Sequence, residues 1–157
     1  MTLATARLLV LILSLAPAPA KADDDAREAA TTFLNAGATM FDARDAKGLA
    51  ATYEENAVLL SVTRDKDSGD LKTETRSGRA DIEKAYGEMF KNDPTYHARN
   101  TITEVRKVGD DVLIVSGNFE PDTTSTTPMK VPFVQVRKKT GESWKVVTMQ
   151  VLILVEK

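Results

Sequence analysis

The longest run of β-forming residues in the chain covers residues 144–155, which read WKVVTMQVLILV. Valine or isoleucine occupies five of these positions, and no glycine or proline interrupts the run. β-branched side chains suit the pleated surface of a strand. A strand this long and this apolar needs cover on much of both faces, so the run predicts the central strand of a sheet.

Apolar side chains spaced three and four residues apart predict three helices. The first covers about residues 26–44 and follows a run of aspartates that suits a helix N-terminus. A short second helix covers residues 46–54, with Tyr53 on its inner face, and the third covers residues 79–91. Pro94 follows the third helix, and proline cannot continue a helix.

Shorter runs with alternating or continuous apolar positions predict the remaining strands. These runs cover residues 57–62, 71–76, 96–108, 112–119 and 131–138. The order is therefore helix, helix, two strands, helix and about four antiparallel strands. It predicts an α+β domain in which the three helices of the N-terminal half pack in the concave face of a curved, mostly antiparallel sheet of about six strands. This cone-shaped, barrel-like arrangement leaves a tapering pocket between sheet and helices.

Composition excludes several classes of function. A chain of 157 residues predicts one domain, and its net charge of −2 lacks the basic excess of a nucleic-acid-binding protein. The absence of cysteine excludes disulfides, thiolate catalysis and thiolate metal sites, and a single histidine excludes sites with two or three histidines in one chain. We therefore expect no metal, no cofactor and no nucleic-acid partner.

The N-terminus has the pattern of a secretory signal peptide over residues 1–22. A short apolar run at residues 8–15 precedes small residues that suit cleavage after Ala20 or Ala22. The alternative is an uncleaved membrane anchor, but the run is much shorter than the roughly 20 apolar residues that a membrane span needs. We expect residues 23–157 to form one exported domain, periplasmic or secreted, that is not attached to a membrane.

Three segments, taken with their order, resemble the nuclear transport factor 2-like superfamily, which includes SnoaL-like cyclases and ketosteroid isomerases. Residues 44–60 place Leu49 and Tyr53 as in the opening of that family. Residues 78–90 are similar to its helix with the pattern Gly-x-x-x-Ile…Phe, and residues 141–147 are similar to its final Gly-x-Trp strand. The resemblance implies the same α+β fold, which hosts many unrelated activities.

The resemblance also allows the ketosteroid isomerase reaction to be tested on this sequence. It places Ser61 where such an enzyme has its aspartate base, Gly37 where it has the oxyanion-binding tyrosine, and Gln135 near the position of the protonated acid. A serine without an adjacent base cannot remove an α-proton at neutral pH, and glycine offers no side-chain donor. We therefore expect no catalysis of the ketosteroid isomerase type.

The predicted pocket lining combines aromatic side chains with uncharged polar ones. Thr148 and Gln150 are expected to point inward with Val146, where they bind either Gln135 and Asn118 or a ligand. The predicted lining residues are Phe41, Tyr53, Ser61, Tyr86, Phe90, Asn118, Gln135, Trp144, Thr148 and Gln150.

His97 is the only side chain in the chain with an ordinary pKa near neutral pH. It is a candidate acid or base at the mouth of the pocket if it faces inward, and a half-exposed residue at the start of a strand if it does not. No carboxylate close to it in the sequence is placed to orient its ring.

Two functions follow from these patterns. The first is an exported domain that binds a small hydrophobic molecule or acts as a dimeric scaffold, without isomerase chemistry. Its dimer would form through the outer sheet face, where Val147, Met149, Val151 and Ile153 are expected to lie. The second is an isomerase, cyclase or hydrolase that uses His97.

Overall fold

The computed structural model describes residues 20–65, 68–92, 97–122 and 130–153. Apart from its last residues, which begin the first helix, the predicted signal peptide at residues 1–22 lies outside this part of the chain. No helix in the described ranges is long and apolar enough to cross a membrane.

Three helices and six strands occur in the described residues. In chain order they are α1 (Ala20–Asp42), α2 (Ala46–Ala51), β1 (Tyr53–Arg64), β2 (Leu71–Ser77), α3 (Arg79–Asn92), β3 (His97–Val108), β4 (Val112–Asp122), β5 (Val131–Thr140) and β6 (Ser143–Ile153). The predicted order of helices and strands is confirmed.

The strands form one curved, unclosed sheet in the order β2-β1-β6-β5-β4-β3. Strand β6 pairs antiparallel with β5 and parallel with β1, so both of its edges are hydrogen-bonded. The predicted central position of this strand is confirmed. All neighbours other than β1 and β6 run antiparallel, as the sequence predicts.

The core lies between the helices and the concave face of the sheet, in two clusters. Ala30 and Leu34 of α1 pack with Leu113, Val115 and Phe133 on strands β4 and β5. A second cluster joins α3 to β1 and β6, and its buried residues are Tyr53, Ala57, Leu59, Ile82 and Val146. Side chains from distant parts of the sequence thus fix the helices over the sheet.

Helix α2 is shorter than predicted, because the chain joins the sheet earlier. The helix ends at Ala51, and Tyr53 is the first residue of β1 rather than part of a helical face. Tyr53 is the pairing partner of Val146 on β6. The backbone N–H of Val146 donates a hydrogen bond to the Thr52 carbonyl over 2.9 Å. The Arg79 guanidinium also donates to the Tyr53 carbonyl, over 2.8 Å from Nη2. These non-local bonds hold Tyr53 in an extended backbone.

Strand β6 contains a β-bulge at Val147. On β5, Val136 pairs with Thr148 and its neighbour Arg137 pairs with Val146, so that Val147 has no residue opposite it. Because side chains alternate between the two faces of a strand, one extra residue exchanges the inward and outward positions beyond it.

Because of this bulge, two predictions about the central strand are wrong. Thr148 and Gln150, predicted to point inward, lie on the outer face, and Gln150 is exposed. Met149, Val151 and Ile153, predicted to form an outward dimer surface, instead line the cavity between sheet and helices. The predictions assumed unbroken alternation, which the extra residue interrupts.

Candidate functional site

A cavity of about 320 Å³ lies between the helices and the concave face of the sheet. Most of its lining is apolar, and no aspartate, glutamate or histidine is among the described residues that form it. Those residues are Phe33, Leu34, Gly37, Ala38, Phe41, Leu49, Thr52, Tyr53, Leu59, Ser61, Tyr86, Met89, Asn100, Phe119, Pro121, Val131, Gln135, Arg137, Val146, Met149, Val151 and Ile153. The space is therefore apolar with a few polar groups.

Five of the predicted lining residues lie in the lining. They are Phe41, Tyr53, Ser61, Tyr86 and Gln135. They come from two helical and two strand segments that converge on the cavity: α1, α3, β1 and β5.

Two predicted aromatic residues lie just outside the cavity. The ring of Phe90 packs against Phe41 at 5.1 Å and stacks on Tyr86 at 6.2 Å between centroids, so it supports lining residues from behind. Trp144 lines a separate groove of about 650 Å³ between α1 and the β5–β6 turn. Both predictions followed from the apolar character of these residues, which does not distinguish the cavity wall from other packed positions.

Three predicted polar residues lie on the other face of the sheet. Asn118 pairs with Thr101 and Pro132, whereas its neighbour Phe119 lines the cavity. Thr148 and Gln150 follow the bulge in β6 and point outward. The predicted hydrogen-bond network of these residues with Gln135 inside the pocket is therefore wrong, because the sheet separates them.

Arg137 is the one charged residue in the described part of the cavity lining, and the sequence prediction did not include it. The residue is only 5% exposed, and its guanidinium lies 3.9 Å from the centre of the Phe33 ring. Nε donates to Oε1 of Gln135 over 2.8 Å, and Nη1 donates to the Trp144 carbonyl over 3.0 Å. The signal was present in the sequence: in a strand with Gln135 inward, the residue two positions later also points inward.

Two phenols lie in the same cavity. The hydroxyl oxygens of Tyr53 and Tyr86 are 2.8 Å apart, and the Tyr53 hydroxyl also donates to Sδ of Met149 over 3.1 Å. Nε2 of Gln135 approaches the same sulfur at 3.6 Å. Arg137, Gln135, Met149, Tyr53 and Tyr86 thus form a connected row of polar atoms, which we call the polar row.

Burial shifts the pKa values of the three titratable groups in the polar row. Desolvation raises the pKa of Tyr53 well above its usual value and also raises that of Tyr86, while the positive charge of Arg137 opposes both shifts more weakly. Burial lowers the pKa of Arg137 to about 10. At neutral pH the phenols are therefore neutral and the guanidinium is charged, so these groups can donate hydrogen bonds but do not act as bases.

Solved structures with the same arrangement were found at low sequence identity. A domain of unknown function with a cystatin-like fold from Nostoc punctiforme has a TM-score of 0.65 and 15% identity, over 88% of this chain and 81% of that chain. A protein described as NTF-2-like and of unknown function, from Shewanella oneidensis, has a TM-score of 0.60 and 15% identity, over 80% and 98%. The fold is that of the nuclear transport factor 2-like proteins. The resemblance inferred from the sequence is confirmed at the level of fold.

A ketosteroid isomerase-like protein from Erwinia carotovora has the same nuclear transport factor 2-like fold, with a TM-score of 0.59 and 20% identity over 85% of this chain and 96% of that chain. Identities this low show the fold alone. No protein-family profile matches the chain, and no curated protein sequence matches it.

Within this nuclear transport factor 2-like fold, the three positions assigned by the resemblance all lie in the cavity lining. They are Gly37, Ser61 and Gln135. Ser61 offers a hydroxyl, Gly37 offers no side chain, and Gln135 is already bonded to Arg137. The described lining of this cavity thus holds no proton acceptor of useful basicity.

His97 lies at the surface, and not in the cavity lining. Its side chain is 85% exposed, with Nδ1 at 3.4 Å from Oδ2 of Asp42 at the end of α1. Asp42 also accepts a hydrogen bond from the Ala98 backbone N–H, so it fixes the start of β3. Of the two alternatives for His97, the structure agrees with the surface residue at the start of a strand, because the first residues of β3 place its ring on the solvent side.

Proposed function

We propose that this chain binds a small, largely apolar molecule in its cavity and does not catalyse a ketosteroid isomerase reaction. The observation that supports binding is the cavity itself, about 320 Å³ of mostly apolar lining with a few converging donors. Ligand pockets in proteins have this composition, and their volumes begin at about 300 Å³.

The proposal of binding without isomerase chemistry rests on the residues present. Proton abstraction from carbon needs a base within hydrogen-bond reach of the substrate. The described lining offers Ser61 and two phenols with raised pKa, none of which is a base at neutral pH. A reaction that uses His97 is not supported either, because that side chain is exposed to solvent.

Filling the cavity tests the proposal. A Cβ at Gly37 meets nothing within 4 Å, and Gly37 lines the cavity, so Gly37→Leu should extend into the empty space without a clash. We expect this variant to weaken binding of a neutral apolar probe such as indole, measured by ligand-observed NMR, by at least about tenfold through steric exclusion.

The matched control is Gly87→Leu on α3, which also has nothing within 4 Å of its Cβ but does not line the cavity. Both variants should gain helix stability, by up to about 1 kcal/mol, because leucine favours helices over glycine. Equal binding of indole by the wild type and by Gly37→Leu would contradict the proposal.

We also propose that the chain is exported and that residues 1–22 are its signal peptide. A short apolar run followed by small residues supports this. Cell fractionation with N-terminal sequencing should find an exported chain that begins at Lys21 or Asp23. Leu11→Arg, which interrupts the apolar run, should retain the protein in the cytoplasm, and an exported, uncleaved chain would contradict the proposal.

Assembly is a second proposal, and a different set of residues on the same face supports it. We propose a homodimer through the outer sheet face, defined here by nine outward positions in the middle of β1, β6 and β5. None of the nine carries a charge, and the charged outward residues Arg64 and Lys138 lie near the strand ends. The nine are Val58, Leu60, Val62, Pro132, Val134, Val136, Thr148, Gln150 and Leu152. Val134 is 44% exposed near the middle of the face. An uncharged, largely apolar sheet face suits a symmetric contact with a second copy.

A further inference from the structure

Arg137 carries a buried positive charge that has no carboxylate partner among the described residues. It is 5% exposed, and none of the ion pairs formed by the described residues includes it. Buried arginines are normally paired, because an unpaired charge away from water is costly. Although burial lowers its pKa, the guanidinium keeps its charge at neutral pH. The fold therefore maintains a cation whose counter-charge is not supplied by the described residues.

Several N–H groups of the guanidinium have no acceptor among the described residues. Of its five N–H groups, one binds Gln135 and one binds the Trp144 carbonyl, which leaves three without a protein acceptor among the described residues. Within those residues, no fully enclosed side-chain nitrogen or oxygen lacks a hydrogen-bond partner. Nη2, which makes no such bond, must therefore border open space. Nη2 is therefore available as a hydrogen-bond donor, and Arg137 is part of the cavity lining.

Arg137 lines both the cavity and the external groove, and the charges of the two spaces differ. The described lining of the groove includes three acidic residues, Asp25, Glu28 and Glu142. Apart from Arg137, its one basic residue is Lys145. An anion approaching through the groove therefore meets like charges. The described cavity lining contains no acidic side chain, so an anion inside the cavity meets Arg137 alone.

We propose that the cavity ligand is an apolar monocarboxylate whose carboxylate binds the free N–H groups of Arg137 and whose apolar body fills the remaining space. This inference rests on the proposed binding function. A guanidinium matches a carboxylate with two parallel hydrogen bonds. A single negative charge balances a single cation, whereas a dianionic phosphate would leave an uncompensated charge in an apolar space. The volume suits a ligand of about ten non-hydrogen atoms, on the scale of roughly 30 Å³ for a water molecule in the liquid.

Hydrocinnamate and its neutral amide, hydrocinnamamide, test the proposal as a pair of nearly equal shape. Isothermal titration calorimetry of the wild type should show that the acid binds at least about tenfold more tightly than the amide, because a charge-assisted hydrogen bond replaces a neutral one. In the Arg137→Met variant, the affinity for the acid should fall to the affinity for the amide. Lys138→Met, which removes an exposed positive charge from the neighbouring position, should keep the preference for the acid.

The outcomes separate this inference from the proposal on which it rests. Amide binding as tight as acid binding would overturn the monocarboxylate and leave the binding function intact, and failure of both probes to bind would overturn both proposals. Should Arg137→Met not fold, NMR of the wild type gives the answer. The Nε–H signal of Arg137 should shift with the acid and not with the amide, and bound acid should show contacts to the methyl groups of Met149 and Val151. Contacts to the Trp144 indole instead, or an unmoved Arg137 signal, would overturn the inference.

Discussion

At the scale of single residues, close packing explains one glycine that the sequence does not single out. Gly117 of β4 lies opposite Ile102, next to a register shift in β3 between Ile102 and Glu104. A Cβ at this position would lie 2.1 Å from the Thr101 carbonyl oxygen and 3.1 Å from Cζ of Phe133. The β3 backbone thus occupies the volume that any side chain would need.

We therefore expect Gly117→Ala to lower the free energy of unfolding by about 3 kcal/mol, since a backbone atom cannot yield as a side chain can. Urea denaturation followed by circular dichroism measures the change. Gly87→Ala is the matched control, because a Cβ there meets nothing within 4 Å. It should stabilise α3 by up to about 1 kcal/mol. Similar stabilities of the two variants would disagree with the close approach of β3.

At the scale of elements, the bulge at Val147 decides which residues of β6 reach the cavity. It allows Val146 to pack in the core and, beyond it, turns Met149 inward, where the sulfur meets the hydroxyl of Tyr53. The polar side chains of Thr148 and Gln150 are thereby kept out of the apolar interior. A single extra residue thus determines the chemical character of the cavity wall.

A lysine scan across the bulge tests this arrangement. Met149→Lys should lower the free energy of unfolding by about 3 kcal/mol, because it places a charge in the apolar lining. Gln150→Lys should change it by less than about 0.5 kcal/mol, as an exposed substitution does. Both substitutions are made in a chain that also carries Val134→Glu, so that a contact between two outer sheet faces does not affect the measured stabilities. If inward and outward side chains alternated without a break from Val146 onward, Gln150→Lys would be the more destabilising of the two substitutions.

At the scale of the whole molecule, the sheet separates two apolar surfaces. Its concave side encloses the cavity with the helices, while the outer sheet face is not packed against any of the three described helices. Charged residues on the outward side are concentrated on β3, for example at Arg99, Glu104 and Arg106. An uncharged region beside a charged edge is what a self-complementary contact of limited extent requires.

Light scattering tests the proposed dimer. The wild type should have twice the mass of one chain at micromolar concentration, and Val134→Glu should be monomeric because it buries a charge in the contact. Val108→Glu is the control, since Val108 is 45% exposed but lies at the end of the edge strand β3. It should leave the dimer intact. A wild-type monomer at this concentration would defeat the proposal.

The sequence by itself determined the elements, their order and the central position of the last strand. Hydrophobic periodicity is a local property, and it survives folding wherever a helix or strand buries one face. The same information placed Phe41 and Tyr86 on interior faces. The resemblance to a known fold added the location of Gly37, Ser61 and Gln135, which the structure finds in the cavity lining.

Only the tertiary structure decided the identity of the cavity wall. The end of α2 depends on pairing between β6 and β1, which lie at opposite ends of the domain sequence, and the bulge at Val147 depends on how β6 fits between β1 and β5, which hydrophobic alternation does not encode. The burial of Arg137 depends on Phe33, Gln135 and the Trp144 carbonyl meeting around it. Because strand alternation has a period of two, one extra residue exchanges every later inward and outward residue of its strand, and with them the chemistry of the site.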